Sequence, residues 1–187
     1  MARGREAEAL EIREVVIRHG RSGDAARLAD FAREIFDATF GPWNDPLDMR
    51  AYMDEVFGEP QQARELVDPG IVTLLAEVEG HLAGYAQVSA RRVPPAPTTG
   101  IPVELMRFYV GRRWQGRGVA RQLMEAVDAA AGVLGGTTLW LCVWGENGRA
   151  TAFYRKCGFT EIGTTPFQLG RDTQTDLVMA RALSPSR

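Results

Sequence analysis

Between Val103 and Trp144 the chain runs apolar strand, glycine- and arginine-bearing loop, amphipathic helix, apolar strand, and this order constrains the fold more than any other feature. VELMRFYV has the apolar and aromatic character of a strand, and GRRWQGR breaks it. From Gly118 to Val133, Ala120, Leu123, Met124, Val127 and Ala131 recur on one helical face, and TTLWLCVW is again a strand. A crossover of this length joins neighbouring parallel strands, with its helix packed over the sheet in the right-handed sense. A second unit follows, because Asn147 can cap a helix through Ala150, Phe153 and Tyr154 to Cys157, which Gly158 ends before FTEIG.

The earlier half supplies the rest of the sheet. Val15 to Arg18 reads as a short strand, and SGDAARLADFAREIF as a helix with Leu28, Phe31, Ala32, Ile35 and Phe36 on its inner face behind Ser22 and Asp24. LDMRAYMDEVF and QQARELV are helical patterns interrupted at Gly58 and Pro60. IVTLLAEV and LAGYAQVSA flank Glu79-Gly80-His81 as an antiparallel hairpin, RRVPPAPTTGIP is a loop of the length that often carries function, and QTDLVMARAL closes the sheet. The expected class is α/β, a central mixed sheet, mostly antiparallel and twisted, of about six to seven strands with helices on both faces. With 187 residues, 45% of them hydrophobic, one core is affordable. The reading is one domain over 11–184 with flexible termini at 1–10 and 185–187.

Lys and Arg total 22 against 24 Asp and Glu, a formal charge of -2, which argues against nucleic acid or an anionic membrane surface as partner. A small molecule is the expected partner. The start MARGREAEALEIREVV lacks a leader pattern and no apolar run reaches membrane-spanning length, so the chain reads as cytoplasmic. Cys142 and Cys157 lack the spacing of a disulfide framework or zinc site, so no metal is expected. His19 and His81 have no serine or cysteine motif beside them and read as surface residues. Trp140, Cys142 and Trp144 alternate onto one strand face and read as core packing.

The loop RRWQGRGVARQLM raises the chemical question. A strand entering a glycine-bearing loop and then a helix presents unpaired backbone amides and the positive end of the helix dipole, which suits a phosphate. The loop has no Gly-Lys-Ser/Thr and lacks the third glycine of a dinucleotide fingerprint, so taken alone it is either an anion site or a solvated basic turn. Its context carries a resemblance. Gln115-Gly116-Arg117-Gly118-Val119-Ala120 matches the Gln/Arg-x-x-Gly-x-Gly/Ala signature of the GCN5-related N-acetyltransferases (GNAT), and LCVWGENGRATAFYRKCGF resembles that superfamily's second cofactor motif. IFDATF and FQLGRDTQTDLVMARAL resemble PaiA-type bacterial spermidine/spermine N-acetyltransferases.

The resemblance implies the GNAT fold, acetyl-CoA as co-substrate and an amine acceptor. It implies that the segment Gln115, Gly116, Arg117, Gly118, Val119 and Ala120 holds the pyrophosphate, that Phe108, Tyr109 and Val110 offer strand backbone to the pantetheine arm and acetyl carbonyl, that Asn147 pairs with pantetheine, and that Arg155 or Lys156 lies near the adenosine end. Tyr154 is the implied general acid, and Glu104 the implied base, with ordered water as the alternative. Each has a plainer reading: Asn147 as a helix cap, Tyr154 as a packed ring, Glu104 as a surface strand residue. Asp37, Asp45, Asp48, Asp54 and Glu55 either attract an amine or solvate a helix face. Met106 departs from the PaiA-type pattern, which carries a second acidic residue there. The expected acceptor is a small polyamine. A protein N-terminus or aminoglycoside-like amine is the enzyme alternative, and a non-catalytic CoA-binding sensor the alternative of another class. A homodimer is left open as the chain's own association.

Overall fold

The computed structural model describes residues 14–184; the flexible termini expected at 1–10 and 185–187 lie outside the described residues, as does the expected domain start at 11. One sheet contains β1 (Val16–His19), β2 (Ile71–Val78), β3 (His81–Ser89), β4 (Pro102–Val110), β5 (Thr138–Trp144), β6 (Thr160–Leu169) and β7 (Asp172–Ala182). Their order is β1-β2-β3-β4-β5-β7-β6, with β4 and β5 parallel and the other neighbours antiparallel. The mixed, mostly antiparallel sheet expected from the sequence is thus formed, at seven strands. Among the described residues no helix is long and apolar enough to cross a membrane.

Local chemistry explains the hairpins. Glu79 and Gly80 both take positive φ, 51° and 77°, which matches the twist of a two-residue turn and sets the pairing of Val78 with His81. Gly170, at φ 56°, turns β6 into β7. Pro166 lies within β6, and an edge strand tolerates its missing N–H.

Helices cover both faces, so the central strands are apolar almost throughout rather than alternating. Leu74 and Leu75 enter different cores. On the first face α4 (Val119–Val133) places Leu123, Met124 and Val127 against Val103, Leu139 and Leu141. On the second, α1 (Ala25–Phe40) buries Leu28, Ala32 and Phe36 with Met49 of α2 (Pro46–Val56), Phe57 and Tyr85. Burial of each large side chain stabilises by roughly 1.5–3 kcal/mol.

α3 (Glu59–Val67) is held to the sheet by a polar cluster. Glu65 is buried and receives Arg107 of β4, Gln87 of β3 at 3.1 Å and Gln61 at 2.7 Å, while Arg107 also lies 5.0 Å from the Phe57 ring centre. Such a pair persists indoors because its remaining hydrogen bonds are made.

The two crossovers differ in outcome. α4 connects β4 to β5 as parallel neighbours, whereas α5 (Gly148–Lys156) leads from β5 to β6, and β7 inserts between them. FTEIG is therefore the start of a ten-residue strand whose partner comes from the chain's last segment.

β4 and β5 pair only from Pro102 with Thr138 to Glu104 with Trp140, although β4 continues to Val110 and β5 to Trp144. Beyond Glu104 they part. Against β3, Gln87 faces Arg107 and Val88 faces Leu105, leaving Met106 as an extra residue. A bulge of this kind bends its strand and increases its twist, and here it coincides with the divergence.

Candidate active site

The parting of β4 and β5 opens a cleft of about 690 Å³. Its walls come from β4, β5, the starts of α4 and α5, the β6/β7 hairpin, α1, Tyr52 and Val56 of α2, and Arg92, Val93 and Pro95 of the loop after β3. Backbone groups on the facing edges of β4 and β5 lack each other as partners past Glu104. A ligand lying between the strands can take their place.

At the mouth, Gly116 and Gly118 have φ of 73° and 86°, a conformation that costs other residues about 1–2 kcal/mol. An added Cβ at either position meets nothing within 4 Å. Gly118 is the N-cap of the fifteen-residue α4 and supplies no side chain to its first amides. These amides, the helix dipole and the open approach fit a phosphate group. Gln115 donates to the Val110 carbonyl at 2.9 Å, which ties this loop to the end of β4, and Arg149 donates to Gln115 Oε1.

On the α5 side, Asn147 Oδ1 accepts the Ala150 amide at 3.2 Å and so caps the helix. Tyr154, two turns on, is buried with its ring centre 6.3 Å from that of Phe108 and 5.7 Å from that of Phe159. Asn147, Tyr154 and Phe108 line the cleft. Burial raises the Tyr154 phenol above its ordinary range, so it carries its proton at neutral pH.

Two carboxyls line the other side. Glu104 is 5% exposed, with Arg92 donating to Oε1 at 3.2 Å and Oε2 without a hydrogen-bond partner among the described residues. Burial raises its pKa, and the charges of Arg92 and Arg107 oppose the rise. Asp176 of β7 is 9% exposed, its Oδ1 also lacks a partner among the described residues, and burial pushes it up to about 6. Trp140, Cys142 and Trp144 lie along the β5 wall between them.

The acetyltransferase (GNAT) family model matches residues 29–159, well over half of the chain. The chain belongs to this family. It is accordingly an N-acetyltransferase whose acetyl donor is acetyl-CoA. It is 31% identical over 160 residues to an uncharacterized N-acetyltransferase of Lactobacillus delbrueckii subsp. lactis, covering 86% of this chain and 92% of the relative. An uncharacterized N-acetyltransferase of Mycobacterium tuberculosis is 33% identical over 160 residues, covering 86% and 98%. In fold the chain is similar to the PaiA N-acetyltransferase of Thermoplasma acidophilum, solved in complex with coenzyme A: TM-score 0.71, 18% identity, 90% of this chain and 99% of that one.

Of the residues singled out in this GNAT sequence, Glu104, Phe108, Tyr109, Val110, Gln115, Gly116, Ala120, Asn147 and Tyr154 meet in the cleft. Arg117 and Gly118 are exposed in the loop before α4, and Val119 is buried beneath it. Lys156 is exposed in the last turn of α5, away from the cleft lining, and Arg155 beside it pairs with Glu161. Tyr109 turns its ring to the second face, 5.5 Å from the centre of Tyr85, so only its backbone belongs to the strand edge.

One expectation needs correction, and two open readings are narrowed. Glu104 is not a surface strand residue, since the loop over the β4/β5 junction encloses it. Trp140 is packed as expected, but Cys142 is exposed and Trp144 half-buried, because their face looks into the cleft beyond that loop. The acidic cluster also lies outside the cleft. Asp45 caps α2 through the amides of Leu47 and Asp48, Asp48 accepts from the Arg171 amide at 3.1 Å, Asp54 pairs with Arg33 at 2.7 Å, and Asp37 and Glu55 are exposed. Asp176 was not singled out in the sequence. Its signal is parity: it alternates with Val178 and Ala180, which are inward positions of β7.

Proposed function

We propose that this acetyltransferase transfers the acetyl group of acetyl-CoA directly to a primary amine of a small polyamine such as spermidine or spermine. The observation that carries this reading is the presence of two buried carboxyls, Glu104 and Asp176, in one cleft with an acetyltransferase's cofactor loop. The PaiA-like segments near both ends of the chain support the same acceptor.

In this reading the loop and first-turn amides from Gln115 through Gly116, Arg117, Gly118 and Val119 to Ala120 hold the pyrophosphate. The free edge of Phe108, Tyr109 and Val110 receives the pantetheine arm and polarises the acetyl carbonyl. Asn147, whose Oδ1 serves as a cap, has its amide nitrogen to offer to pantetheine. Lys156 contributes charge toward the adenosine end from the surface.

Acetyl-CoA supplies an activated acyl group and a thiolate leaving group. The neutral amine's lone pair forms the C–N bond to the acetyl carbonyl carbon, and the C–S bond breaks. That lone pair is freed when the ammonium gives one proton to Glu104, directly or through one water; the departing sulfur takes the Tyr154 phenolic proton, and the second proton shed by the acylated nitrogen restores the phenol through solvent. Burial serves both roles, because it makes Glu104 more basic and keeps Tyr154 protonated. All of these groups come from one chain. The unpaired thiols of Cys142 and Cys157 fit a reducing compartment, and we assign the activity to the cytoplasm.

The test is an acetylation screen with mass-spectrometric detection over polyamines, monoamines, aminoglycosides and peptide N-termini. Spermidine or spermine is expected to show the highest kcat/KM. Efficient acetylation of a peptide N-terminus with no preference for spermidine over a monoamine would replace the polyamine reading and leave the acetyltransferase intact.

A further inference from the structure

Asp176 has an unusual position for a carboxylate. It stands across β7 from Trp144 on one side and Thr165 on the other, and it lines the cleft. Among the described residues no donor reaches its enclosed Oδ1. The nearby side chains do not neutralise it. Its charge is felt by Tyr52, Tyr109 and Cys142, while Arg107, the cation that also acts on both tyrosines, is bound to Glu65. Gln174 on the same strand donates to Asn44 and Asp172 instead.

The walls around Asp176 are aromatic. Phe40 lies 5.8 Å from Trp144, and Tyr52 lies 5.7 Å from Phe167, centre to centre, and all four rings line the cleft. Aromatic faces beside a desolvated carboxylate suit an organic ammonium ion, which each of them attracts. A ligand without an N–H or O–H donor would leave the carboxylate unpaired, and an ammonium supplies both the donor and the opposite charge.

The second carboxyl is set apart from the first. Glu104 pairs with Trp140 and Asp176 with Trp144, four residues further along β5, or about 13 Å at the usual rise per residue. Cys142, between the two tryptophans, feels both charges. The two carboxyls are thus based a four-residue strand step apart along the cleft. An extended diamine or triamine can place one nitrogen near each.

We propose that Asp176 is the specificity-determining residue of the acceptor site, binding the distal ammonium of a diamine or polyamine whose other primary amine reacts beside Glu104 and Tyr154. This rests on the amine-acetyltransferase reading above. With burial pushing it up to about 6, the carboxyl is still mostly ionised at pH 7.

The test compares spermidine with propylamine in wild type, Asp176→Asn and Asp176→Glu, reading kcat/KM for each and spermidine affinity by calorimetry on the CoA-saturated protein. Asp176→Asn is expected to lower kcat/KM for spermidine at least tenfold, mainly through KM, and that for propylamine less than twofold; Asp176→Glu restores part of the loss. Equal losses for both amines, or unchanged spermidine kinetics and affinity, overturn the proposal. If wild type acetylates neither amine, the polyamine function fails, and calorimetry still decides the site. Spermidine binding that disappears in Asp176→Asn upholds it, and no binding to wild type overturns it.

Discussion

Trp144 and Asp176 are paired directly across the β5–β7 ladder, so an indole and an ionisable carboxyl share the cleft face of the sheet. Pairing of this kind places side chains about 5 Å apart at their Cβ atoms. It brings a charge against an apolar wall, an arrangement that costs stability.

That cost is measurable. The Asp176 carboxyl is held up to about 6 in the folded protein by burial and returns to the ordinary carboxylate range on unfolding. Between those limits the folded state binds more protons, so stability falls as pH rises through the window, and the full penalty is present above about 6. Allowing for the solvent that reaches the cleft, Asp176→Asn should stabilise by about 1–2 kcal/mol at pH 7 and by almost nothing below pH 4. Thermal melts at the two pH values check this; equal Tm shifts at both would contradict it.

Tyr154→Phe removes only the phenolic oxygen from a ring already packed by Phe108 and Phe159. The fold and acetyl-CoA affinity should hold. Turnover is expected to drop roughly a hundredfold, the usual loss for a positioned acid. Near-normal kcat in a steady-state assay would leave Tyr154 as a packing residue.

Glu104→Gln keeps the shape of a buried side chain and removes its proton-accepting charge. Burial places the wild-type carboxyl above its usual range, so kcat/KM should rise with pH through that raised value. In the variant, kcat/KM should be about a hundredfold lower and this limb absent. A pH profile of unchanged shape and height would transfer the proton to ordered water.

Gly118→Val adds a branched side chain at φ 86°, where it projects into open space before α4. The protein should remain folded, at a cost of about 1–2 kcal/mol for the left-handed backbone. Acetyl-CoA affinity should fall at least about tenfold, because the added carbons occupy the approach to the helix amides. Calorimetry on the folded variant is the check, and unchanged affinity removes the loop from the cofactor site.

Arg107→Met leaves Glu65 buried without its cation, although Gln61 and Gln87 still donate to it. The expected loss is about 3 kcal/mol or more, read as a lower denaturant midpoint. Arg107→Met combined with Glu65→Met should recover much of it, since an apolar pair of similar volume avoids the unpaired charge. Failure of the double variant to recover would assign the loss to packing on Phe57.

The parts of this protein legible in its sequence are those governed by neighbours along the chain. The hairpin at Glu79-Gly80 follows from backbone conformation, α4 from apolar spacing, and its start from glycines at positions of positive φ. Asn147 and Tyr154 reach the same cleft because one helix carries both. The order and spacing of those motifs also sufficed to reveal the family.

Tertiary structure decided the rest, for reasons no local pattern contains. Whether β6 or β7 lies beside β5 depends on hydrogen bonds between distant segments, and the insertion of β7 is what carries Asp176 to Trp144. The bulge at Met106 is visible only against β3, yet it coincides with the parting of β4 and β5 that makes the cleft. Asp45, Asp48 and Asp54 form a conspicuous acidic cluster in sequence, but helix capping and ion pairs consume them at the surface. A carboxylate's chemistry is set by its solvation and its partners, and these exist only once the chain is folded.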